Sequence, residues 1–298
     1  MWIADGWNQN DYELIDTTDG ERLEKWGKYV LVRPDPQIIW RGVGDSPLWK
    51  KADGVYRRSQ SGGGKWVKNN LPEEWTIGYK NAGLDLRFLL RPMGFKHTGL
   101  FPEQAANWDW FSGLIREQKS RRPDEPIRVL NLFAYTGGAT VAAAQAGAQV
   151  VHVDASRGMV NQAKENAALS GLEKAPIRYL VDDCQKFVER ELRRGNRYEG
   201  IIMDPPSYGR GPGGEVWKLE ECVHTLVAET AQLLSDRALF FLVNSYTTGL
   251  SPLTMGYLLE LTLKGRKGYV EAGELGLPVT RSGAALPCGA SARWQRKQ

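Results

Sequence analysis

Residues 129–138, VLNLFAYTGG, decide the fold because they join a buried strand to the start of a helix. The apolar run 129–133 is typical of a strand with both faces covered, and residues 135–138 follow as a glycine-containing turn. The alanine-rich residues 139–147 then have helical composition. The stretch predicts a strand, a turn and a helix, with the backbone of the turn open at the helix N-terminus.

The same alternation continues towards the C-terminus. Further apolar strands are predicted at residues 149–154, 177–183, 198–204 and 237–246, and helices at 159–171, 187–195, 219–235 and 255–266. Continuous apolar strands separated by helices indicate parallel pairing with helices on both faces. The predicted fold class is therefore α/β, with a doubly wound, mostly parallel sheet.

The N-terminal third of the chain has a different pattern. Between residues 12 and 95, short runs rich in Val, Ile, Tyr and Trp alternate with turn sequences such as TTDGE and RPDP, which predicts a small antiparallel β domain. The glycine-rich residues 61–64 predict a hairpin tip and not a phosphate loop, because no helix follows them. An amphipathic helix is predicted at 102–119. We therefore predict two domains, residues 1–95 and 96–298.

The composition excludes several classes of protein. With 39 Lys and Arg against 35 Asp and Glu, the chain is mildly basic, which permits nucleic-acid binding without demanding it. Scattered cysteines without a C-x-x-C pair favour a reducing cytoplasm over a disulfide scaffold or a structural zinc site. No apolar run reaches the ~20 residues of a membrane span, and the N-terminus is unlike a signal peptide. We expect a cytoplasmic protein with neither a metal nor a membrane partner, and the sequence leaves its oligomeric state open.

Acidic residues end the second and third predicted strands. In an open parallel sheet, ligands bind at the carboxyl ends of the strands, where Asp154 can accept hydrogen bonds from ribose hydroxyls. Asp182 and Asp183 stand where one carboxylate can accept from an adenine amino group. Taken alone, each acid is as readily a helix cap as a ligand contact, and the glycine pair is more often a plain turn than part of a ligand site. Their occurrence at successive strand ends favours a nucleotide-type ligand.

The turn at residues 135–138 distinguishes two such ligands. NAD is the alternative, but the turn lacks the G-x-G-x-x-G spacing that a close pyrophosphate approach favours. S-adenosylmethionine carries no phosphate and needs only an open turn. The sequence therefore favours S-adenosylmethionine, and hence methyl transfer, over an NAD oxidoreductase.

The fourth predicted strand ends in a second distinctive turn, DPPSYG at residues 204–209. Methyl transfer is an in-line displacement, so the enzyme must hold a nucleophile ~3 Å from the methyl group. Pro205 and Pro206 fix the backbone, and the Asp204 carboxylate and Pro205 carbonyl can accept from an exocyclic amine. Tyr208 offers a ring on which a base can stack. These residues are the predicted catalytic set, and a rigid strand-to-loop turn is the alternative interpretation.

Residues 97–294, which contain both turns, resemble the class I S-adenosylmethionine-dependent methyltransferases related to the bacterial 23S rRNA large-subunit enzymes. This is the group with D-P-P-x-[FY] turns. Residues 96–104, KHTGLFPEQ, are similar to the family's T-G-x-[FY]-x-[DE]-Q, and residues 164–166, KEN, also match. The resemblance implies a Rossmann-like methyltransferase sheet, with residues 101 and 104 closing the cofactor pocket, 131–137 holding methionine, 154 the ribose and 183 the adenine. The cofactor-binding residues expected on this basis are Phe101, Gln104, Asn131, Phe133, Tyr135, Thr136, Gly137, Asp154, Ala155, Asp183, Cys184 and Asp204.

The chain departs from the family in two respects. Relatives that methylate cytosine at carbon 5 use a cysteine after the fifth strand, where residues 242–246 here read LVNSY. Cys184, Cys222 and Cys288 lie elsewhere, so a thiolate mechanism is not expected. Those relatives also carry an extra N-terminal RNA-binding module, which is not recognisable here, so either the small β domain recognises the substrate or the substrate is not large rRNA.

Basic residues in the β domain bear on the substrate. Arginines and lysines with interleaved tryptophans predict RNA binding there, and the glycine-rich residues 209–216 predict either a substrate loop or an ordinary surface loop. The leading hypothesis is methylation of a base nitrogen of RNA, rRNA in particular. The alternatives are a small-molecule or protein methyltransferase and a non-catalytic cofactor-binding scaffold, against which the intact turn at 204–206 argues. The basic cluster comprises Lys50, Lys51, Arg57, Arg58, Lys65 and Lys68, with Trp49 and Trp66 among them.

Overall fold

The computed structural model describes residues 1–42, 44–59, 63–94, 96–210, 216–247 and 249–297. The chain divides into two compact units. The β unit comprises Ile3–Ala106 and Gly276–Cys288, and the sheet unit comprises Met1–Trp2, Asn107–Leu275 and Gly289–Gln298. Residues 61–62 of the predicted hairpin tip and 211–215 of the predicted loop lie outside the described residues.

The first strand of the chain, β1 (Trp2–Ile3), joins the large sheet described below, and the strands that follow it build two small sheets in the β unit. A five-stranded sheet has the order β2-β3-β4-β5-β6, and β7 and β8 pair separately. Neighbouring strands are antiparallel except β4 and β5, which are parallel because a connection containing α1 separates them. The elements are β1 (Trp2–Ile3), β2 (Tyr12–Thr18), β3 (Glu21–Trp26), β4 (Tyr29–Pro34), α1 (Leu48–Lys51), β5 (Gly54–Arg58), β6 (Gly64–Asn69), β7 (Trp75–Asn81) and β8 (Leu84–Leu90).

The later elements alternate as predicted up to residue 262 and then end in two long strands. The first long helix, α2, buries Trp108, Phe111 and Ile115 on one face, as its apolar spacing predicts. None of the helices formed by the described residues is long and apolar enough to cross a membrane. The elements are a 3-10 turn (Pro102–Gln104), α2 (Ala105–Arg121), β9 (Arg128–Leu132), α3 (Gly138–Gln145), β10 (Gln149–Asp154), α4 (Arg157–Leu169), β11 (Ile177–Val181), α5 (Cys184–Arg194), β12 (Gly200–Met203), β13 (Tyr208–Arg210), β14 (Val216–Lys218), α6 (Leu219–Ala231), β15 (Phe240–Ser245), α7 (Pro252–Thr262), β16 (Gly268–Pro278) and β17 (Ala285–Arg296).

Within the described residues, the large sheet has eight strands in the order β1-β16-β17-β15-β12-β9-β10-β11. The strands β11, β10, β9, β12 and β15 are parallel to one another, and β17 runs antiparallel to β15. Leu130, Leu132, Ile201 and Met203 are fully buried in its centre. The predicted fold class is confirmed, and the antiparallel β17 is an addition to the strands that were predicted.

The strand order reverses between β9 and β12. From β9 the chain moves outward through β10 to β11, and it then returns to place β12 on the other side of β9. Met203 pairs with Leu132, so β12 and β9 end side by side. A reversal of this kind opens a crevice at the carboxyl ends of the two strands, which is where such sheets bind ligands.

Candidate functional site

The turn that follows β9 has an unusual backbone. Phe133 and Tyr135 have φ angles of 55° and 49°, in the left-handed region that residues with a side chain rarely adopt. Gly137 has φ 82° and begins α3 as its N-cap residue. Left-handed backbone at residues with a side chain is concentrated at ligand sites. It persists only where surrounding contacts hold it in place.

Asp154 provides one of those contacts from the end of β10. Its Oδ2 accepts a hydrogen bond from the Tyr135 amide at 2.8 Å, and its Oδ1 accepts from the Ser156 amide at 2.8 Å. Burial raises the pKa of Asp154, and the two amide bonds oppose that rise because they favour the ionised form. Ala155, between the two anchored segments, is exposed. The acid therefore shapes the turn.

Two more side chains hold the same turn from other elements. The Phe133 amide donates to the buried Cys184 Sγ at 3.3 Å, at the start of α5. The side-chain Nδ2 of Asn166, a fully buried residue of α4, donates to the Thr136 carbonyl at 2.8 Å. Side chains from β10, α4 and α5 thus fix the backbone at 133–136.

A buried polar network lies next to Gly137. Asn131 Nδ2 donates to Thr140 Oγ1 at 2.9 Å, and that hydroxyl is 2.9 Å from Nδ1 of His152. A Cβ on Gly137 would lie 2.8 Å from the Ala163 Cβ, so α4 approaches too closely for any other residue. The structure therefore places the predicted cofactor residue Asn131 within the support of the turn.

The acids after β11 have local partners. Asp183 is the N-cap of α5, where its Oδ1 accepts from the Lys186 amide at 2.8 Å, and it is exposed. Asp182 forms an ion pair with Arg190. The capping interpretation left open by the sequence is thus realised at Asp183, at the same edge of the sheet as Asp154.

The turn after β12 lies beside the first turn. The Asp204 amide is 3.4 Å from the Leu132 carbonyl, which joins the ends of β12 and β9. Pro205 is buried, Asp204 is half-buried and Pro206 is exposed. Tyr208 is 54% exposed.

Trp217 is a residue of this site that sequence reasoning missed. It lies in β14, which pairs with β13 directly after the turn. Its indole Nε1 donates to the Pro206 carbonyl at 2.7 Å, and its ring centroid is 6.0 Å from that of Phe133. A second bond, 2.7 Å from Thr247 Oγ1 to Ser207 Oγ, also holds the turn. A tryptophan shortly after the D-P-P turn and its glycine-rich loop was the available sequence signal.

Phe101 and Gln104 belong to the β unit. Gln104 is buried and ends the 3-10 turn, and the Phe101 ring packs on His97 with centroids 4.9 Å apart. Burial lowers the pKa of His97 to about 3, so that ring is neutral at physiological pH. The role of Phe101 and Gln104 in closing the cofactor pocket stays a prediction.

A family model described as S-adenosylmethionine-dependent methyltransferase matches residues 47–232. The chain belongs to this family. A solved S-adenosylmethionine-dependent methyltransferase from Agrobacterium tumefaciens is 37% identical, with TM-score 0.87, covering 99% of this chain and 93% of that one. The complex of SMU.776 with S-adenosylhomocysteine (SAH) shares the fold at 18% identity, with TM-score 0.72 over 97% of this chain and 76% of the other.

Two curated relatives match a shorter part of the chain. Ribosomal RNA large subunit methyltransferase I of Aeromonas hydrophila is 32% identical over 143 residues, which is 48% of this chain and 33% of that protein. Ribosomal RNA large subunit methyltransferase K/L of Shewanella frigidimarina is 32% identical over 151 residues, 50% of this chain and 20% of the other. The match thus spans a third or less of these relatives. The predicted enzyme class and its cofactor, S-adenosylmethionine, are confirmed.

Proposed function

We propose that this enzyme methylates a base nitrogen of RNA, with ribosomal RNA as the expected substrate, and that no cysteine acts as a nucleophile. The observation that carries the proposal is the turn Asp204–Tyr208, whose first residue is bonded to the end of β9 and whose last residue, Tyr208, is exposed. The curated relatives, named for ribosomal RNA, support RNA as the substrate class.

The residues around the first turn have the right chemistry for S-adenosylmethionine. Each carboxylate oxygen of Asp154 accepts one amide and has a further lone pair, which suits ribose hydroxyls. Exposed Asp183 suits the adenine amino group, and we assign the methionine portion to the turn at 133–137, where Phe133, Tyr135 and Gly137 have left-handed backbone. Bound there, S-adenosylmethionine supplies an electrophilic sulfonium methyl group.

The second turn would then position the acceptor. The Asp204 carboxylate would accept a hydrogen bond from the N–H of an exocyclic amine and so direct the nitrogen lone pair at the methyl group. Pro205 and Pro206 limit the backbone freedom of the turn, and a base stacked on Tyr208 would be held in the plane this requires. After transfer, the excess proton on nitrogen has an acceptor in Asp204 or in water.

The state of the cysteines supports a mechanism without a thiolate. Burial raises the pKa of both Cys184 and Cys288, which disfavours the nucleophilic form. Cys222 is a half-buried residue of α6, and β15 ends in the buried pair Asn244 and Ser245. A nitrogen acceptor carries its own lone pair and needs no covalent adduct with the enzyme.

Basic residues on the hairpin of β5 and β6 support RNA binding by the β unit. Arg57 pairs directly across the strands with Lys65, so both side chains lie on one face. They can contact phosphates, although Arg57 also pairs with Glu21. The Trp66 ring packs on Tyr56 and its indole donates to the Met93 carbonyl at 2.9 Å, so we assign this tryptophan to the fold.

The test uses S-adenosylmethionine labelled in its methyl group and fractions of RNA, protein and metabolites. We expect label in RNA, and nucleoside digestion followed by mass spectrometry should locate the methyl group on nitrogen. Asp204→Ala should bind SAH normally but transfer methyl about 10²-fold more slowly, the usual order for losing a positioned polar partner. Asp236→Ala, in an exposed acid before β15, is the matched control and should be silent. Label on carbon, or in protein or metabolites, would refute the proposal.

A further inference from the structure

The indole of Trp217 contacts both turns of the site. On one side its N–H donates to the Pro206 carbonyl at 2.7 Å. On the other side its ring packs on Phe133, with centroids 6.0 Å apart and planes at 42°. Phe133 opens the turn after β9, and Pro206 lies within the turn after β12, so one side chain spans the point where the strand order reverses.

The turn at 204–208 depends on contacts of this kind. Pro205 and Pro206 have no amide hydrogen, so this part of the turn is held through its carbonyls, through side chains and through the amides of neighbouring residues. The Ser207 carbonyl accepts from the Leu219 amide at 3.1 Å, and Tyr208 pairs with Lys218 in the hairpin. These bonds attach the turn to β14 and α6, and the Asp204 amide attaches its first residue to the Leu132 carbonyl at the end of β9. The Trp217 side chain adds a link from Pro206, two residues further on, to Phe133.

The other end of this contact is rigid. The Phe133 amide is bonded to Cys184 Sγ, and Phe133 has φ 55°. Because its backbone is fixed, the Phe133 ring can define the position of the turn at 204–208 that packs against it through Trp217. In-line methyl transfer tolerates little displacement between the donor and the nucleophile, and ~1 Å of misplacement can cost about 10²-fold in rate.

We propose that Trp217 is a positioning residue for methyl transfer, which sets the distance between the acceptor-holding turn and the cofactor-holding turn through its indole hydrogen bond and its contact with Phe133. The inference rests on the proposed function in one respect, namely that the Asp204 turn holds the acceptor. Trp217 acts through Pro206 and Phe133 and needs no contact with either substrate.

The experiment compares two tryptophans that each donate an indole hydrogen bond in the sheet unit. Trp217→Phe keeps an aromatic ring and removes the donor to Pro206. Trp110→Phe is the matched control, because Trp110 Nε1 donates to Gln295 Oε1 at 3.2 Å, away from both turns. Single-turnover transfer is measured at saturating labelled S-adenosylmethionine and acceptor, SAH affinity by calorimetry, and folding by thermal melting.

We expect Trp217→Phe to bind SAH within about twofold of wild type and to transfer methyl on the order of tenfold more slowly or worse. Trp217→Leu, which also loses the ring contact, should be slower again, and Trp110→Phe should transfer at the wild-type rate. A purely structural role would instead lower melting temperature, SAH affinity and rate together. That result, or an unchanged rate in Trp217→Phe, would overturn the inference.

The acceptor is whichever fraction, RNA, protein or metabolites, takes up label with the wild-type enzyme. Label outside RNA would refute the proposed substrate and leave the test of Trp217 intact on the labelled fraction. Conversely, labelled RNA with unaltered transfer by Trp217→Phe would refute the positioning role alone.

Discussion

Asp154 and Tyr135 are joined by a hydrogen bond of 2.8 Å from the Tyr135 amide to the Asp154 carboxylate, and Tyr135 has φ 49° at that point. The residue proposed to bind the ribose therefore also holds the backbone proposed to bind methionine. Loss of this carboxylate removes a ligand contact and a support of the turn at the same time.

Asp154→Ala should therefore bind S-adenosylmethionine about 1–3 kcal/mol more weakly, the usual range for a lost polar partner. Asp154→Asn can still accept one amide bond and should lie between the alanine variant and wild type. Calorimetric titration measures both, with NAD as the control ligand. Equal affinity of the wild type for NAD, or no loss in Asp154→Ala, would contradict the assignment of the site.

Gly137→Ala should destabilise the protein and weaken cofactor binding. Its Cβ would lie 2.8 Å from the Ala163 Cβ, and φ 82° is unfavourable for alanine. We expect a loss of roughly 1–3 kcal/mol in the free energy of unfolding, the cost of a strained backbone position. Gly171→Ala is the control, because Gly171 has φ 72° but no atom within 4 Å of the added Cβ. It introduces backbone strain without a steric clash and should lower the free energy of unfolding less than Gly137→Ala does.

The buried His152 should make the stability depend on pH. Burial lowers its pKa to about 3, whereas an unfolded histidine titrates near ~6.5. Below that value the unfolded state binds a proton that the folded state does not. Stability should therefore fall as pH decreases from about 6.5, by up to about 1.4 kcal/mol per pH unit. The adjacent Tyr179, with its pKa raised to about 12, does not titrate in this range.

Denaturant unfolding at about pH 7 and about pH 5.5 tests this, since most carboxyl groups stay ionised over that range. His152→Asn retains a side-chain acceptor for the Thr140 hydroxyl and cannot titrate. The free energy of unfolding of this variant should fall less between the two pH values than that of wild type. Part of the pH dependence should remain, because His97 also has its pKa lowered to about 3. Parallel slopes for wild type and His152→Asn would contradict the prediction.

Tyr208 should contribute its ring and not its hydroxyl. With the side chain 54% exposed, Tyr208→Ala should weaken RNA binding by about 1–3 kcal/mol, the value of one stacked base. Tyr208→Phe keeps the stacking face and should be nearly silent. Steady-state kinetics with RNA as the varied substrate distinguish the two. A Phe variant as impaired as the Ala variant would assign the effect to the hydroxyl.

Replacing all three cysteines should leave methyl transfer largely intact. Cys222 is half-buried, so Cys222→Ser should have little effect on stability. Cys184→Ala removes the sulfur that accepts the hydrogen bond of the Phe133 amide, and it should lower stability. Activity is therefore compared between variants with matching cooperative melting. A folded triple variant with no transfer activity would revive a thiolate mechanism.

Much of the sheet could be predicted because its strands are short, apolar and bounded by turn residues. The predicted strand 149–154 matches β10 residue for residue, and the predicted acids do end β10 and precede α5. The two-domain boundary predicted at residue 95 stays a prediction. Apolar runs bounded by turn residues were enough to predict these strands, because burial on both faces of a sheet leaves little choice of residue.

Other elements could not be predicted, for physical reasons. β13 and β14 are three residues each, too short to show an alternating pattern. β16 and β17 contain glycine, proline and charged residues, so neither forms a continuous apolar run. The contact of Trp217 with Phe133 joins distant parts of the chain, and only the folded sheet brings those residues together.

The turn after β9 is held by Asp154, Asn166 and Cys184, none of which belongs to it. Its conformational entropy is therefore lost when the protein folds and not when the ligand arrives. Association with the cofactor should then need no slow ordering step, so the observed binding rate should rise linearly with cofactor concentration. Selection for rapid replacement of the product SAH by S-adenosylmethionine between turnovers would therefore act on these three residues as strongly as on the turn itself.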